Sequence, residues 1–352
     1  MSVIGHVGTQ DAKLDDDAPR SRVSKDGSVL MPATRLPFSS YASDAARAIF
    51  ASRFAVIEPP PEATDETIGD LRAHYDAFNR DCLRPIVAAY PHIVVGDRIG
   101  GVDVQIVDPA GGASRTDKVL LCLHGGGFLW GSGAGALVEA APIAALSGMR
   151  VIAAHYRLAP EHKFPAASED VLAVYRVLLD SYRPQDIGIY GNSAGALLTA
   201  QAIASFDKAG LPLPAALGTF FAATNEIMSD SFWFATPSLG QEAWTHDRIF
   251  EFLPYFEGAD LQSPQVFPFN SEALIARFPP TMIATATRDF AMSACATAHR
   301  QLVRCGVETE FHVWDGLWHA FPVDCRLPEA DDFYQTVARF FRKHLALEGG
   351  ES

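Results

Sequence analysis

Two spacings of apolar residues alternate along most of the chain. Ile68, Leu71, Tyr75, Phe78 and Cys82 recur at intervals of three and four, which is one face of a helix. Asp65 and Glu66 come just before it, where negative charge suits the positive end of the helix dipole. A shorter helix is predicted over 43–52, and Pro59-Pro60-Pro61 marks a linker between the two. From about residue 92 the spacing shortens. Runs at 93–95 and 102–107 flank Gly100-Gly101 and predict an antiparallel hairpin. Apolar runs at 118–123, 150–155, 187–190, 216–221, 282–286 and 310–313 then alternate with helical stretches at 134–146, 167–181, 194–207, 293–305 and 329–347. Alternating strand and helix predicts an α/β fold, a mostly parallel sheet covered on both faces.

Two segments depart from this rhythm. Residues 1–35 read as a polar tail. The stretch 224–269 offers no clear strand, and ten aromatics fall between Phe220 and Phe256, where the chain average of 11% would give four. It reads as an insertion over the C-terminal edge of the sheet, where open α/β folds bind ligands, or as extra core helices. Residues 187–206 carry no formal charge and are long enough to cross a bilayer. Gly188, Gly191, Gly195, Asn192, Ser193, Thr199 and Gln201 within them suit a buried strand, tight turn and buried helix instead.

Composition narrows the function classes. The 352 residues are 48% hydrophobic and 20% charged, enough for a large core. With 42 Asp and Glu against 28 Lys and Arg, the net charge of −14 repels nucleic-acid phosphates and anionic lipid, so neither nucleic acid nor membrane is an expected partner. Five cysteines without a CxxC pair suggest neither a disulfide framework nor a zinc site. The N-terminus holds Asp11, Asp15, Asp16 and Asp17 and no apolar core of a secretory signal, so a cytoplasmic location is expected.

The chemistry centres on Gly191-Asn192-Ser193-Ala194-Gly195, a G-x-S-x-G motif between a predicted strand and a predicted helix. A serine there sits on a strained turn at the sheet edge, and small flanking residues keep side chains from colliding. His124-Gly125-Gly126-Gly127 follows the strand at 118–123. Its glycines let backbone amides approach an oxyanion, with the Ala194 amide as partner. The alternative, a phosphate-binding turn, lacks the Lys and Thr of a P-loop and is followed by apolar Phe128-Leu129-Trp130. A serine needs a base. His319, just past the last strand, is the best placed of eleven histidines; His312 and His155 are weaker choices. The orienting carboxylate is Asp289, after the strand at 282–286. Asp315 is its rival, but is expected to start a turn with Gly316. Arg157, if buried, needs a partner, which Glu161 or Asp170 could supply.

These motifs resemble the bacterial hormone-sensitive-lipase-like esterases of the α/β-hydrolase fold. The likeness runs from about residue 64 to the C-terminus and rests on His124-Gly125-Gly126-Gly127-Phe128, Gly131-Ser132, Tyr156-Arg157-Leu158-Ala159-Pro160-Glu161, Phe164-Pro165-Ala166, the serine elbow, Asp289 and His319-Ala320-Phe321. The resemblance implies an eight-stranded sheet. It implies a cap from an N-terminal region, 1–85, and from the insertion at about 224–269 of a catalytic domain, 86–352. It also implies a homodimer, hydrolysis of short- to medium-chain acyl esters, and oxyanion donors at Gly125, Gly126 and Ala194. The family elbow usually has Asp where this chain has Asn192, and Gly where it has Ala196.

The expected enzyme is therefore a serine carboxylesterase with catalytic Ser193, Asp289 and His319, needing no metal or organic cofactor. An amidase or deacetylase with the same triad, a lyase, and a non-catalytic small-molecule receptor are the alternatives on this fold.

Overall fold

The computed structural model describes residues 21–25, 27, 29–30, 35–54, 64, 66–111, 115–222, 229–238 and 253–345. The chain divides into two units, Met1–Phe38 and Ser39–Ser352. In the first, Arg22–Val23 (β1) and Val29–Leu30 (β2) pair antiparallel, so the expected tail contains a hairpin. Its turn is closed by the Gly27 amide on Ser24 O at 3.0 Å, with Gly27 at φ 87°. The signal was an Asp26-Gly27 pair between valines.

The second unit carries an eight-stranded sheet. Its strands are His92–Ile99 (β3), Val102–Pro109 (β4), Arg115–Leu123 (β5), Met149–Ala154 (β6), Ile187–Asn192 (β7), Ala216–Phe220 (β8), Thr281–Arg288 (β9) and Thr309–Trp318 (β10). They lie in the order β10-β9-β8-β7-β5-β6-β4-β3. From β6 to β10 all pairs are parallel; β4 runs antiparallel to both β3 and β6. Every expected strand is present. The main extension is β10, which continues past 313 through a bulge between Trp314 and Trp318. The turn expected at Asp315-Gly316 is this bulge: Gly316 takes φ 77° and donates its amide to Thr287 Oγ1 at 2.8 Å.

The helices are Asp44–Phe54 (α1), Ile68–Ala89 (α2), Ala134–Ser147 (α3), Ala166–Ser181 (α4), Ala194–Lys208 (α5), Asp230–Ser238 (α6), the single turn Glu272–Ile275 (α7), Met292–Arg304 (α8) and Pro328–His344 (α9). α3 packs with α9 and α2 against one part of the sheet, while α4, α5 and α8 share the main core cluster. The linker at Pro59-Pro60-Pro61 lies outside the described residues. So do Trp244, Phe250 and Phe252 of the insertion. Its described C-terminal part joins the core, through Tyr255, Phe256, Val266, Phe267 and Phe269.

The uncharged stretch at 187–206 is β7, a turn and α5. α5 is buried from Ala194 to Ala204. Its polar groups are satisfied internally: Thr199 Oγ1 donates to Gly195 O at 2.8 Å, and Gln201 Nε2 to Val266 O at 2.8 Å. Burial of polar groups is tolerated on that condition. No helix among the described residues is long and apolar enough to cross a membrane.

The strand order reverses at β5: β6 lies on one side of it and β7 on the other. The loops leaving β5 and β7 therefore diverge and open a crevice at their C-terminal ends. The start of β7 is anchored by Asp186, 5% exposed, which accepts from Lys118 Nζ and from Arg183 Nε. Removing one member of a buried pair leaves the other uncompensated. Asp186→Ala should lower stability by about 3 kcal/mol, the low end for a buried pair, because Asp117 stays 3.4 Å from Lys118 Nζ. A shift of the denaturant midpoint measures this; an unchanged midpoint contradicts the anchoring role.

Candidate active site

Ser193 sits between β7 and α5 at φ 53°, ψ −118°. A non-glycine residue holds such a conformation only where its surroundings enforce it. Here they do. A Cβ at Gly195 would stand 1.8 Å from Leu123 O, and one at Gly191 2.3 Å from the Gly195 carbonyl, so only glycine lets α5 start this close to β5. The Ser193 amide donates to Phe220 O at 2.8 Å and ties the turn to β8.

β9 and β10 deliver the partners. His319 follows β10, and its Nε2 lies 3.0 Å from Ser193 Oγ. Its Nδ1 lies 2.8 Å from Asp289 Oδ1. Asp289 is fully buried and also accepts from Thr285 Oγ1 at 2.7 Å and from the Ala291 amide at 2.9 Å. An ionised carboxylate only accepts, so Nδ1 carries the proton and Nε2 is free to accept from Ser193. Phe290 stacks on the imidazole with ring centroids 4.3 Å apart, and Phe221 meets its edge at 5.8 Å. The structure thus brings together the three residues expected from the sequence.

The rivals are elsewhere. Asp315 is exposed and accepts from Ser39 Oγ. His312 pairs with Glu310 at 3.2 Å, and His155 with Gln105 at 3.1 Å.

The loop after β5 is where the expectation needs correcting. The Gly125 amide, expected as an oxyanion donor, donates to Glu139 Oε1 of α3 at 2.8 Å. The amides of Gly126, Gly127 and Ala194 donate to no acceptor among the described residues. The loop's free donors are therefore one residue further along than expected. Gly126, at φ 114°, takes the Leu129 and Trp130 amides on its carbonyl at 2.9 and 3.1 Å. Burial pushes His124 down to about 4, so its ring is neutral. Nδ1 then donates to Gly125 O at 2.8 Å, and Tyr156 Oη donates to His124 O at 2.6 Å.

In the Tyr156–Glu161 motif, Asp170 is the one of the two expected partners that pairs with Arg157. Arg157 is partly exposed and pairs with Asp170 at 2.9 Å and Glu169 at 3.0 Å. Glu161 pairs with Arg72 of α2 at 2.7 Å instead. Arg72 also donates to Leu129 O and Ala159 O, both at 2.9 Å, and so clamps the glycine loop to the motif. Neither Arg72 nor Glu139 stood out in the sequence. Each lies on a helix whose period marks only its apolar face.

Aromatic walls flank the crevice. Trp130 stacks on Tyr75 of α2 at 3.9 Å. Trp318, next to His319, meets Phe50 and Phe54 of α1 at 5.7 and 5.8 Å. α6, from the insertion, docks beside Asp289: Ser231 Oγ donates to Phe290 O at 2.8 Å and accepts the Ser293 amide at 2.9 Å.

A family model described as the α/β-hydrolase fold matches residues 120–323. The chain belongs to the α/β-hydrolase family. It is similar to LipR of Mycobacterium tuberculosis, a protein named for acetyl-hydrolase activity, with 30% identity over 72% of this chain and 81% of that protein. An acetyl-hydrolase of Streptomyces hygroscopicus is 29% identical over 69% of this chain and 81% of its own length. Among solved structures, esterase E25 covers 90% of this chain and 98% of its own, with 28% identity and a TM-score of 0.79. An esterase of the bacterial hormone-sensitive lipase family covers 86% and 98%, with 26% identity and a TM-score of 0.73. Within the α/β-hydrolases, the resemblance to the hormone-sensitive-lipase-like esterases therefore holds.

The geometry separates the two acidic candidates. Asp289→Asn should slow labelling of Ser193 by a fluorophosphonate by up to ~10⁴-fold, because the amide leaves His319 in the wrong tautomer. Asp315→Asn should label at close to the wild-type rate. The reverse ranking, in variants shown to be folded by circular dichroism, would remove Asp289 from the triad.

Proposed function

We propose that this α/β-hydrolase is a serine carboxylesterase acting on short- to medium-chain acyl esters through an acyl-enzyme. The observation that carries this reading is the continuous chain from Ser193 Oγ to His319 Nε2 at 3.0 Å and from His319 Nδ1 to Asp289 at 2.8 Å, beside amides with no other acceptor. His319 accepts the Ser193 proton as Oγ attacks the ester carbonyl. The oxyanion takes hydrogen bonds from the amides of Gly126, Gly127 and Ala194. Asp289 stabilises the imidazolium that forms. His319 then gives its proton to the leaving alcohol. Water, deprotonated by the same imidazole, attacks the acyl group; as the acyl–Oγ bond breaks, His319 returns the proton to Ser193 and the carboxylic acid leaves.

The cap in this reading comprises α1, α2 and the insertion at about 224–269, over a catalytic domain at 86–352. The aromatic walls among the described residues, Tyr75 with Trp130 and Phe50 and Phe54 with Trp318, favour a finite pocket over an open groove. An amidase or deacetylase with the same triad is the second reading, favoured by the two relatives named acetyl-hydrolases.

A p-nitrophenyl ester series from acetate to palmitate tests the proposal. Turnover should peak between about two and eight acyl carbons, the size of a closed pocket of this kind, and vanish in Ser193→Ala. An optimum at palmitate would contradict the pocket, and activity surviving in Ser193→Ala would contradict the mechanism. Faster hydrolysis of acetanilide than of phenyl acetate would favour the amidase reading.

A further inference from the structure

An acid whose carboxyl is buried behind the glycine loop has no place in the mechanism above. Glu139, in the second turn of α3, points its carboxyl at the loop after β5. Oε1 accepts the Gly125 amide at 2.8 Å, and Oε2 is buried without a hydrogen-bond partner. A Cβ at Gly125 would meet Glu139 Oε1 at 3.3 Å, Asn192 O at 3.0 Å and Ser193 Cβ at 3.5 Å, so Gly125 packs against both this carboxyl and the base of the nucleophile. Asn192 Oδ1 of the elbow is also buried without a hydrogen-bond partner.

We propose that Glu139 is a positioning residue for the oxyanion loop: by holding the Gly125 amide, it leaves the next two amides, Gly126 and Gly127, turned to the nucleophile's side. The proposal rests on the serine-esterase reading and deepens it. A peptide plane has one N–H. If the Gly125 amide lost its acceptor inside the protein, it would have to find another, and the neighbouring peptide planes would rotate with it. Gly126 and Gly127, at φ 114° and 61°, have no side chains to resist that rotation. The Gly125 acceptor on α3 therefore adds to the Arg72 clamp and to the bonds on the Gly125 and Gly126 carbonyls in keeping the loop in one conformation.

A carboxyl in this role has a cost that identifies it. Facing Glu139 are Cys122 of β5, Tyr156 after β6, Tyr190 of β7 and Tyr334 of α9, all raised above their usual ranges by burial and neutral at neutral pH. No cation is among them. Burial accordingly pushes Glu139 up to about 8, against the smaller opposing pull of the Gly125 amide. Its unfolded counterpart ionises near the ordinary carboxylate range. As pH rises above about 4.5, the unfolded chain gains a charge that the folded protein withholds until about 8. Stability is lost across that window, and both protonation states still accept from Gly125 through Oε1.

Glu139→Leu and Glu139→Gln test this against wild type, with Ser193→Ala as the inactive control. Glu139→Leu removes the acceptor. It should lower kcat on p-nitrophenyl butyrate by about 10- to 100-fold, less than the ~10²–10³-fold that outright loss of an oxyanion donor costs because the loop amides are displaced and not removed, with KM changed less than about threefold. A trifluoromethyl ketone, which forms a tetrahedral oxyanion on the serine, should bind more weakly by the same factor. Glu139→Gln keeps an acceptor oxygen and should retain most of the kcat. It should also melt higher than wild type at pH 8 and equally at pH 4.5. If Leu prevents folding, Glu139→Met is read in its place. A folded Leu or Met variant with wild-type kcat, a loss confined to KM, or a Gln variant as damaged as Leu would each overturn the proposal. Wild type without activity on esters would instead overturn the esterase reading, and the melting comparison would still report on the buried acid.

Discussion

The first turn of α5 lies so close to the end of β5 that the space beside Gly195 is filled by the Leu123 carbonyl. Much of the site depends on that contact. It forces Ser193 into a left-handed turn, since neither flanking residue can carry a side chain into the gap. It brings the amide-bearing start of α5 beside the glycine loop that leaves β5. The strand order makes the contact possible, because β5 and β7 are neighbours at the point where the order reverses. β9 and β10 then bring Asp289 and His319 to the same edge in register with β8.

Around this edge the charge distribution is spare. The interior behind the loop holds His124 as a neutral ring, a set of neutral phenols and thiols, and Glu139 raised to about 8. The fully buried Asp289 is supported by three donors, Thr285, the Ala291 amide and His319. Related elbows usually carry a carboxylate beside the serine. This chain has Asn192 there and places a carboxyl on α3 instead.

Much of this was legible in the sequence because it rests on short-range pattern. The eight strands, the elbow, and the chain order Ser193, Asp289, His319 follow from apolar runs and from which residues come just after them. What was not legible depends on contacts between distant segments. The Gly125 amide looks like its neighbours in sequence; only the arrival of Glu139 from α3 commits it elsewhere. Glu161 pairs across 89 positions with Arg72, a separation that no local pattern encodes. Asp315 looked like a turn because Asp-Gly pairs make turns. In the sheet, the amide of Gly316 reaches Thr287 across to β9 and the pair becomes a bulge. The hairpin at 22–30 is invisible to periodicity because two-residue strands leave almost none.

The central claim is that Ser193 becomes covalently acylated. p-Nitrophenyl N,N-dimethylcarbamate tests it most directly, because the carbamoyl-enzyme it forms hydrolyses slowly enough to isolate. The expected result is a burst of one nitrophenol per protein chain and, by mass spectrometry of the digested protein, a single dimethylcarbamoyl group on Ser193. Steady release of nitrophenol with no adduct, or an adduct on another residue, would contradict it.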